Sequence, residues 1–462
     1  MRFCLISTHT DQTIGYSKVA YNILKELSSF SANLQKSGSN SKEVSLFHFG
    51  FQRHPARANV KPIPSNVVSY DAAANEDPKE EGFGFNKIKD YLEMVQPHVI
   101  FIYNDVLTIA KFLDKIIVAD KKPKFKIWLY LDVMYEGMHP SLVKKIFEHT
   151  DKIYLFSKTG MQQMKYIYGG DAAGNVDIYG KMPELGLIEH SVDKTVFYPI
   201  ALSSSQTVSR EKLGLTKNDI VFLNCNRNSA RKRLDVCVMA FVRLLKKLSC
   251  TDSTNLTILS SSNSPSTTKT QTIRNSSVYF IFATAASNKS GALAHFDIVR
   301  IYHEELKRFN LNIEEYKKRL IVIDTSANVI SDAMMNDLYN LCDIGVNSSS
   351  GEGFGLCTFE HMVANNGAQI VTDVGCYSEY LKNNSDVECG LIVKNNGYAY
   401  FDAAQSAFGI EYPTVSIEDF SEAFFECSQN LEIWKQRSSK LKLKTWKESV
   451  KVLWDDILNI HL

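Results

Sequence analysis

The sequence predicts an α/β protein with two mainly parallel sheets of similar size, one in each half of the chain. Short β-rich runs alternate with helical apolar spacing from end to end, the rhythm of βαβ units. The rhythm breaks at residues 199–205, which read as a linker, and restarts at Ile220. Near the C-terminal end, the apolar segment 341–346 reads as a short buried strand. It leads through a glycine-spaced turn into a helix-forming stretch that runs up to Glu360. Strand, glycine loop and helix in that order suit a ligand crevice at the carboxyl ends of parallel strands.

The expected elements follow along the chain. Residues 3–7 form a strand, and residues 16–27 show helical spacing at Val19, Ile23, Leu24 and Leu27. Further strands are expected at 44–49, 67–70, 99–103, 126–131 and 153–156, with helices at 88–95, 107–118 and 142–149. The segment 183–193 reads as a strand ending at a hinge, which makes His190 structural rather than catalytic. After the linker, strands at 220–224, 279–282, 320–323, 344–346, 369–372 and 391–393 alternate with helices at 236–248, 296–309, 332–341 and 417–429. The chain closes in helical pattern at 446–458. The Ser- and Thr-rich run 251–277 lacks large apolar residues and is expected to be a surface insertion around one short strand.

Bulk properties narrow the function classes. A chain of 462 residues supports two or three domains, each with a sizeable core. A formal net charge of +1 gives no global attraction to nucleic acid or to an anionic membrane. Nine cysteines without a C-x-x-C pair oppose a disulfide framework and a zinc site, and most are expected to be buried thiols. Residues 1–7 turn polar at once, unlike a signal segment, and no apolar run nears the ~20 residues a membrane-spanning helix needs. A cytoplasmic location is expected. The basic tract 121–126 reads as a solvated face, with a membrane or an anionic acceptor as its alternative partner.

The candidate chemistry sits at strand ends. In Glu352-Gly353-Phe354-Gly355-Leu356, backbone N–H groups and a helix N-terminus face a prospective anion. Glu352 stands at the mouth of this loop, and Glu360 lies about two turns along the helix. A phosphorylated ligand with hydroxyl groups would use both features, amides for phosphate and carboxylates for hydroxyls. A tight turn beside a solvated glutamate is the plainer alternative. Arg227, Arg231, Lys232 and Arg233 cluster after the strand at 220–224. Cations at the positive end of a helix invite an anion such as a diphosphate, although a solvated basic turn has the same composition. Gly15 follows the first strand and could admit a phosphate or sugar close to the backbone, or could simply serve a turn. Asp132 ends a strand and His139 follows it. Either could act as an acid, a base or a hydroxyl ligand, against the simpler roles of turn cap and surface histidine. The G-x-G-x-x-G dinucleotide fingerprint is missing after the first strand, and so is any D-x-D pair.

Taken in order, these segments resemble the retaining glycosyltransferases of family 4, which have the GT-B architecture of two facing Rossmann-like domains. The resemblance runs through Ile14-Gly15-Tyr16, the segment 188–193, Phe197-Tyr198-Pro199, Arg227 with Lys232, and residues 339–343. Glu352 with Glu360 matches the family's E-x7-E signature. The pattern departs at Arg233, where the family has glycine, and at His361-Met362-Val363, where a small residue, Gly and Pro are usual. The family's first-domain histidine has no clear counterpart, and Asp132 lies near its expected place. The resemblance implies an N-terminal acceptor-side domain over 1–199 and a donor-side domain over 200–444. A terminal helix over 445–462 would cross back onto the first domain.

By this resemblance, Arg227 and Lys232 would hold the donor diphosphate and stabilise charge on the leaving group. Glu352 and the amides of Gly353, Phe354, Gly355 and Leu356 would contact the donor sugar and its phosphate. Glu360 would bind ribose hydroxyls, and Gly15 would line the phosphate side from the other domain. No cofactor or metal is implied. The donor would be a nucleotide sugar, a UDP- or GDP-sugar first, with transfer to a hydroxyl of a glycan, lipid or protein-linked acceptor. Two alternatives stand beside transfer: a nucleotide-sugar epimerase or hydrolase on the same scaffold, and a non-catalytic nucleotide-sugar-binding protein.

Overall fold

The structure, a computed structural model, describes residues 1–12, 14–36, 43–53, 61–117, 123–133, 140–168, 182–200, 209–251, 278–285, 295–325, 330–383, 386–400 and 411–460. His139, nearly all of the Ser- and Thr-rich run, most of the linker and part of the basic tract lie outside the described residues. The chain divides into two compact units. One contains Met1–Asp193 and Leu443–Leu462, and the other contains Lys194–Ala399 and Tyr412–Lys442.

The first unit runs β1 (Arg2–Thr8), α1 (Gly15–Lys36), β2 (Ser45–Phe51), β3 (Val67–Asp71), α2 (Ile88–Val95), β4 (Val99–Asp105), α3 (Val106–Ile116), β5 (Lys126–Asp132), α4 (Pro140–His149), β6 (Lys152–Leu155), α5 (Lys158–Tyr168) and β7 (Glu184–Leu187). Its strands form one parallel sheet in the order β3-β2-β1-β4-β5-β6-β7. Helices cover both faces of such a sheet, so its central strands are apolar throughout rather than alternating. Six of the seven β4 residues are buried accordingly. α1 turns Val19, Ala20, Ile23, Leu24 and Leu27 inward. The Asp105 carboxylate accepts from the Thr108 N–H at 2.9 Å and caps α3.

The second unit runs β8 (Ile220–Asn224), α6 (Leu234–Thr251), β9 (Val278–Thr284), α7 (Ile298–Arg308), α8 (Ile313–Tyr316), β10 (Leu320–Asp324), α9 (Asp332–Leu341), β11 (Ile344–Asn347), α10 (Leu356–Asn365), β12 (Ala368–Thr372), β13 (Leu391–Val393), β14 (Gly397–Tyr400), β15 (Glu411–Thr414), α11 (Ile417–Gln429) and α12 (Leu431–Ser438). Its main sheet is parallel in the order β10-β9-β8-β11-β12-β13, and β14 pairs with β15. Phe222, Phe241, Phe280 and Phe424 meet ring on ring at the centre of its core. The final helix, α13 (Trp446–Leu458), starts with a capping box between Thr445 and Glu448. It packs on the first unit, where Phe30 stacks on Trp454 and Asp456 accepts from Lys152 Nζ at 2.8 Å and from the Tyr154 hydroxyl at 2.7 Å.

Three local expectations need correction. Residues 341–343 are not strand: Leu341 ends α9, and the Cys342 N–H still bonds the Leu338 carbonyl at 3.1 Å. Cys342 is already extended, and strand pairing begins at Ile344, after the Asp343 carboxylate has taken the Val221 N–H at 3.0 Å and the Arg210 guanidinium at 2.6 Å. The cation cluster does not run straight into a helix, because a 3-10 turn over Ala230–Lys232 and a left-handed Arg233 intervene. Gly15 is the first residue of α1 rather than part of a free loop. Among the described residues, no helix is long and apolar enough to cross a membrane.

Candidate active site

Both sheets contain a switch point where strand order reverses, between β1 and β4 and between β8 and β11. Chains leaving two such strands diverge, and the gap between them is where ligands bind in open α/β sheets. In the second unit the two loops at that gap are 225–233 and 348–355, which hold the cation cluster and the glycine turn.

The loops are tied together by charge and backbone. Lys232 Nζ bonds the Glu352 carboxylate, and the two side chains are only 9% and 12% exposed. Arg231 donates to the Gly351 carbonyl, and the Ser350 N–H returns a bond to the Arg231 carbonyl at 2.8 Å. The Ser348 hydroxyl donates to the Arg233 carbonyl at 2.7 Å. Burial pushes Lys232 below the ordinary lysine value, with Arg231 adding repulsion and Glu352 opposing both. Burial alone would raise Glu352, but Lys232 and Arg231 hold its carboxyl below the usual range. The outcome is an ionised pair inside the protein, which needs good hydrogen bonding to persist.

The turn has a rigid back wall. Gly355 takes φ +79, and a Cβ there would come within 2.1 Å of the Tyr377 hydroxyl. That hydroxyl accepts from Asn347 Nδ2 at 2.6 Å and lies 3.0 Å from Thr358 Oγ1. Gly375, at φ +58, leaves room for the Glu352 carbonyl, which a Cβ would approach to 2.0 Å. Phe354 turns into the core against Phe359 and Tyr380, so only its backbone can serve a ligand. Gly353 is buried and Leu356 half-buried at the start of α10, which has no side-chain cap.

Glu360 sits deeper, 2% exposed, and accepts from the Tyr339 hydroxyl at 2.8 Å. A small cavity beside it is lined by Cys225, Asn226, Tyr339, Asn347, Cys357 and Thr358, among others. Arg227 lies exposed in the same loop as Lys232. The structure therefore brings Lys232 and Glu352 into contact, with Glu360 on the adjoining helix. Arg231 and Tyr377 were not singled out from the sequence. Arg231 could have been, since it lies within the cation cluster, whereas nothing local marks Tyr377.

In the first unit, Asp132 pairs in register with Asp105 at the ends of β5 and β4. Its Oδ2 accepts from the Tyr16 hydroxyl at 2.8 Å, one residue into α1 from the exposed Gly15. Burial, then the Asp132 charge, raises the Tyr16 phenol well above its ordinary value. Nearby, Arg53 bridges Asp11 and Asp71 at 3.2 Å each. His190 is buried among Tyr103, Tyr130, Phe156 and Trp446, and burial lowers it to about 3, which fits a structural role.

Two Rossmann-like parallel-sheet units, the second with a cation loop tied to a glycine turn at its switch point, define the chain as a GT-B α/β protein. Solved glycosyltransferases match this fold over essentially the whole chain. Sucrose-phosphate synthase from Thermosynechococcus elongatus is 14% identical with a TM-score of 0.60, covering 99% of this chain and 96% of that one. Anabaena HepE, solved with UDP and glucose, is 11% identical with a TM-score of 0.59, covering 99% and 98%. The UDP-forming α,α-trehalose-phosphate synthase of Burkholderia xenovorans, solved with glucose-6-phosphate, is 12% identical with a TM-score of 0.59, covering 99% of each chain. No family model matches the sequence, and no curated protein matches it.

Proposed function

We propose that the protein is a retaining glycosyltransferase that moves a hexose from a nucleotide-diphosphate sugar to a hydroxyl acceptor, in the manner of family 4. The observation that carries this reading is the buried Lys232–Glu352 pair, set between the cation loop and the glycine turn at the switch point of the second sheet. Lys232 and Arg227 take the diphosphate and stabilise the charge that builds on the leaving phosphate. Glu352 and the backbone N–H groups at the start of α10 hold the donor sugar and its phosphate. Glu360 binds the ribose hydroxyls. The acceptor side is assigned to the first unit, with Gly15 for the donor phosphate and Asp132 for the acceptor hydroxyl. Catalysis then consists of positioning and fixed electrostatics, and the leaving phosphate itself accepts the acceptor proton.

The complexes of structurally similar proteins with UDP and glucose support a UDP-sugar as the first donor to test, with GDP-sugars next. With two side-chain cations assigned to the phosphates, turnover is expected to persist in EDTA. The protein is further proposed to work in the cytoplasm. The deciding experiment is a thermal-shift and hydrolysis screen with UDP-, GDP-, ADP- and dTDP-sugars. A true donor at a hundredfold excess over its dissociation constant adds ~2.7 kcal/mol of stability. Arg227→Ala should then weaken that donor by ~1.5–3 kcal/mol, the worth of a charge-assisted phosphate contact. No shift with any donor, or a shift indifferent to Arg227→Ala and Glu352→Ala, overturns the assignment.

A further inference from the structure

Tyr339 is wholly buried on α9 and touches Glu360, the residue assigned above to the ribose hydroxyls. Its hydroxyl donates to Glu360 Oε2 at 2.8 Å and lies 3.6 Å from Cys225 Sγ, at the loop that follows β8. Its ring stacks on His361, with centroids 5.6 Å apart and planes 18° apart. On another side it meets Phe197 edge-on at 5.7 Å. His361 in turn is wedged where only glycine fits: a Cβ on Gly345 or Gly367 would come within 2.7 or 2.3 Å of its ring. The neighbouring segment is pinned to the same helix. The Tyr198 N–H donates to Asn336 Oδ1 at 3.1 Å, the Ile200 N–H to Asn340 Oδ1 at 2.8 Å, and Asn340 Nδ2 to the Tyr198 carbonyl at 3.0 Å.

From this geometry we infer that Tyr339 is the positioning residue for nucleotide recognition, fixing the Glu360 carboxylate so that it can take ribose hydroxyls. The inference rests on the glycosyltransferase reading, in which Glu360 meets the ribose. A carboxylate on a helix can rotate about its side-chain torsions. A phenol bonded to one oxygen removes that freedom before the ligand arrives, and pre-ordering of this kind is worth affinity. Tyr339 can do so because its own ring is clamped between His361 and Phe197. The same clamp ties Glu360 to the segment 197–200, where the chain enters the second unit.

The test is calorimetric binding of UDP, GDP and ADP, each beside its 2′-deoxy counterpart, to the full-length protein. Tyr339→Phe keeps the ring and removes only the hydroxyl, and Glu360→Gln serves as comparator. The wild type should prefer one ribonucleotide over its deoxy form. Tyr339→Phe should lose about tenfold for the ribonucleotide and markedly less for the deoxynucleotide, shrinking the preference as Glu360→Gln does. In the double variant the two losses should fall short of their sum. Equal losses for both sugars would mark a merely structural tyrosine and overturn the inference, as would unchanged binding. Failure of the wild type to bind any of the three ribonucleotides overturns the glycosyltransferase reading itself and is read separately.

Discussion

The two switch points share a topology and differ in how they hold charge. In the second unit a lysine and a glutamate are buried together, with a second cation, Arg231, on the backbone of the facing loop. In the first unit the ends of β4 and β5 carry Asp105 and Asp132, the latter answered by the Tyr16 hydroxyl, and Arg53, which bridges Asp11 and Asp71, has a side chain about a third exposed. Strand order explains why both places can bind something. Charge separates the roles proposed for them: a diphosphate suits the loops with cations and fixed N–H groups, whereas a neutral hydroxyl suits a carboxylate held by a phenol.

The largest effect expected from breaking this contrast is on stability. Lys232→Met leaves Glu352 buried without its cation and should cost ~3–5 kcal/mol in chemical denaturation. Arg53→Met, the matching change in the first unit, should cost less, ~2 kcal/mol, because Arg53 and Asp71 are each about a third exposed although Asp11 is buried. Equal losses would erase the distinction between the two sites. Next comes Gly375→Ala, which puts a Cβ into the Glu352 carbonyl at a left-handed position and should cost ~3 kcal/mol with loss of donor binding.

Acidification should tell the units apart as well. Glu352 has a depressed value in the folded protein, so its contribution is fully present above the unfolded carboxyl value of 4.5. That contribution is lost as pH falls through the lower folded value. Melting curves below pH 4.5 should therefore drop more steeply for the wild type than for Glu352→Gln. The smallest expected effect is Tyr16→Phe, ~1.5 kcal/mol for one hydrogen bond to a charged partner, with donor affinity unchanged. A change in donor affinity there would join what the comparison separates.

Much of the scaffold was legible because periodicity is a local property. Helices at 88–95, 332–341, 417–429 and 446–458 coincide with α2, α9, α11 and α13, and their stripes of buried Leu, Ile, Val and aromatic residues explain why. α12 escaped because LEIWKQRS has a weak apolar stripe, and α5 because KTGMQQMKYIY is polar overall and buries only Gly160 and Met164. α1 runs to Lys36, well beyond the expected 27, since its later turns are mostly polar and solvent-facing.

For the candidate site, residue types and spacing determined which groups carry charge: Glu352 and Glu360 eight positions apart, and Arg227 and Lys232 at a strand end. The tertiary structure alone decided that Lys232 meets Glu352 across 120 residues, because that contact depends on β8 and β11 becoming neighbours in the sheet. It also placed Tyr339 on Glu360 and Tyr377 behind Gly355. Sequence spacing reports what lies one or two helical turns away. Strand adjacency and burial are settled only when the whole sheet has formed, and they set which charges are paired and which side chains are held still.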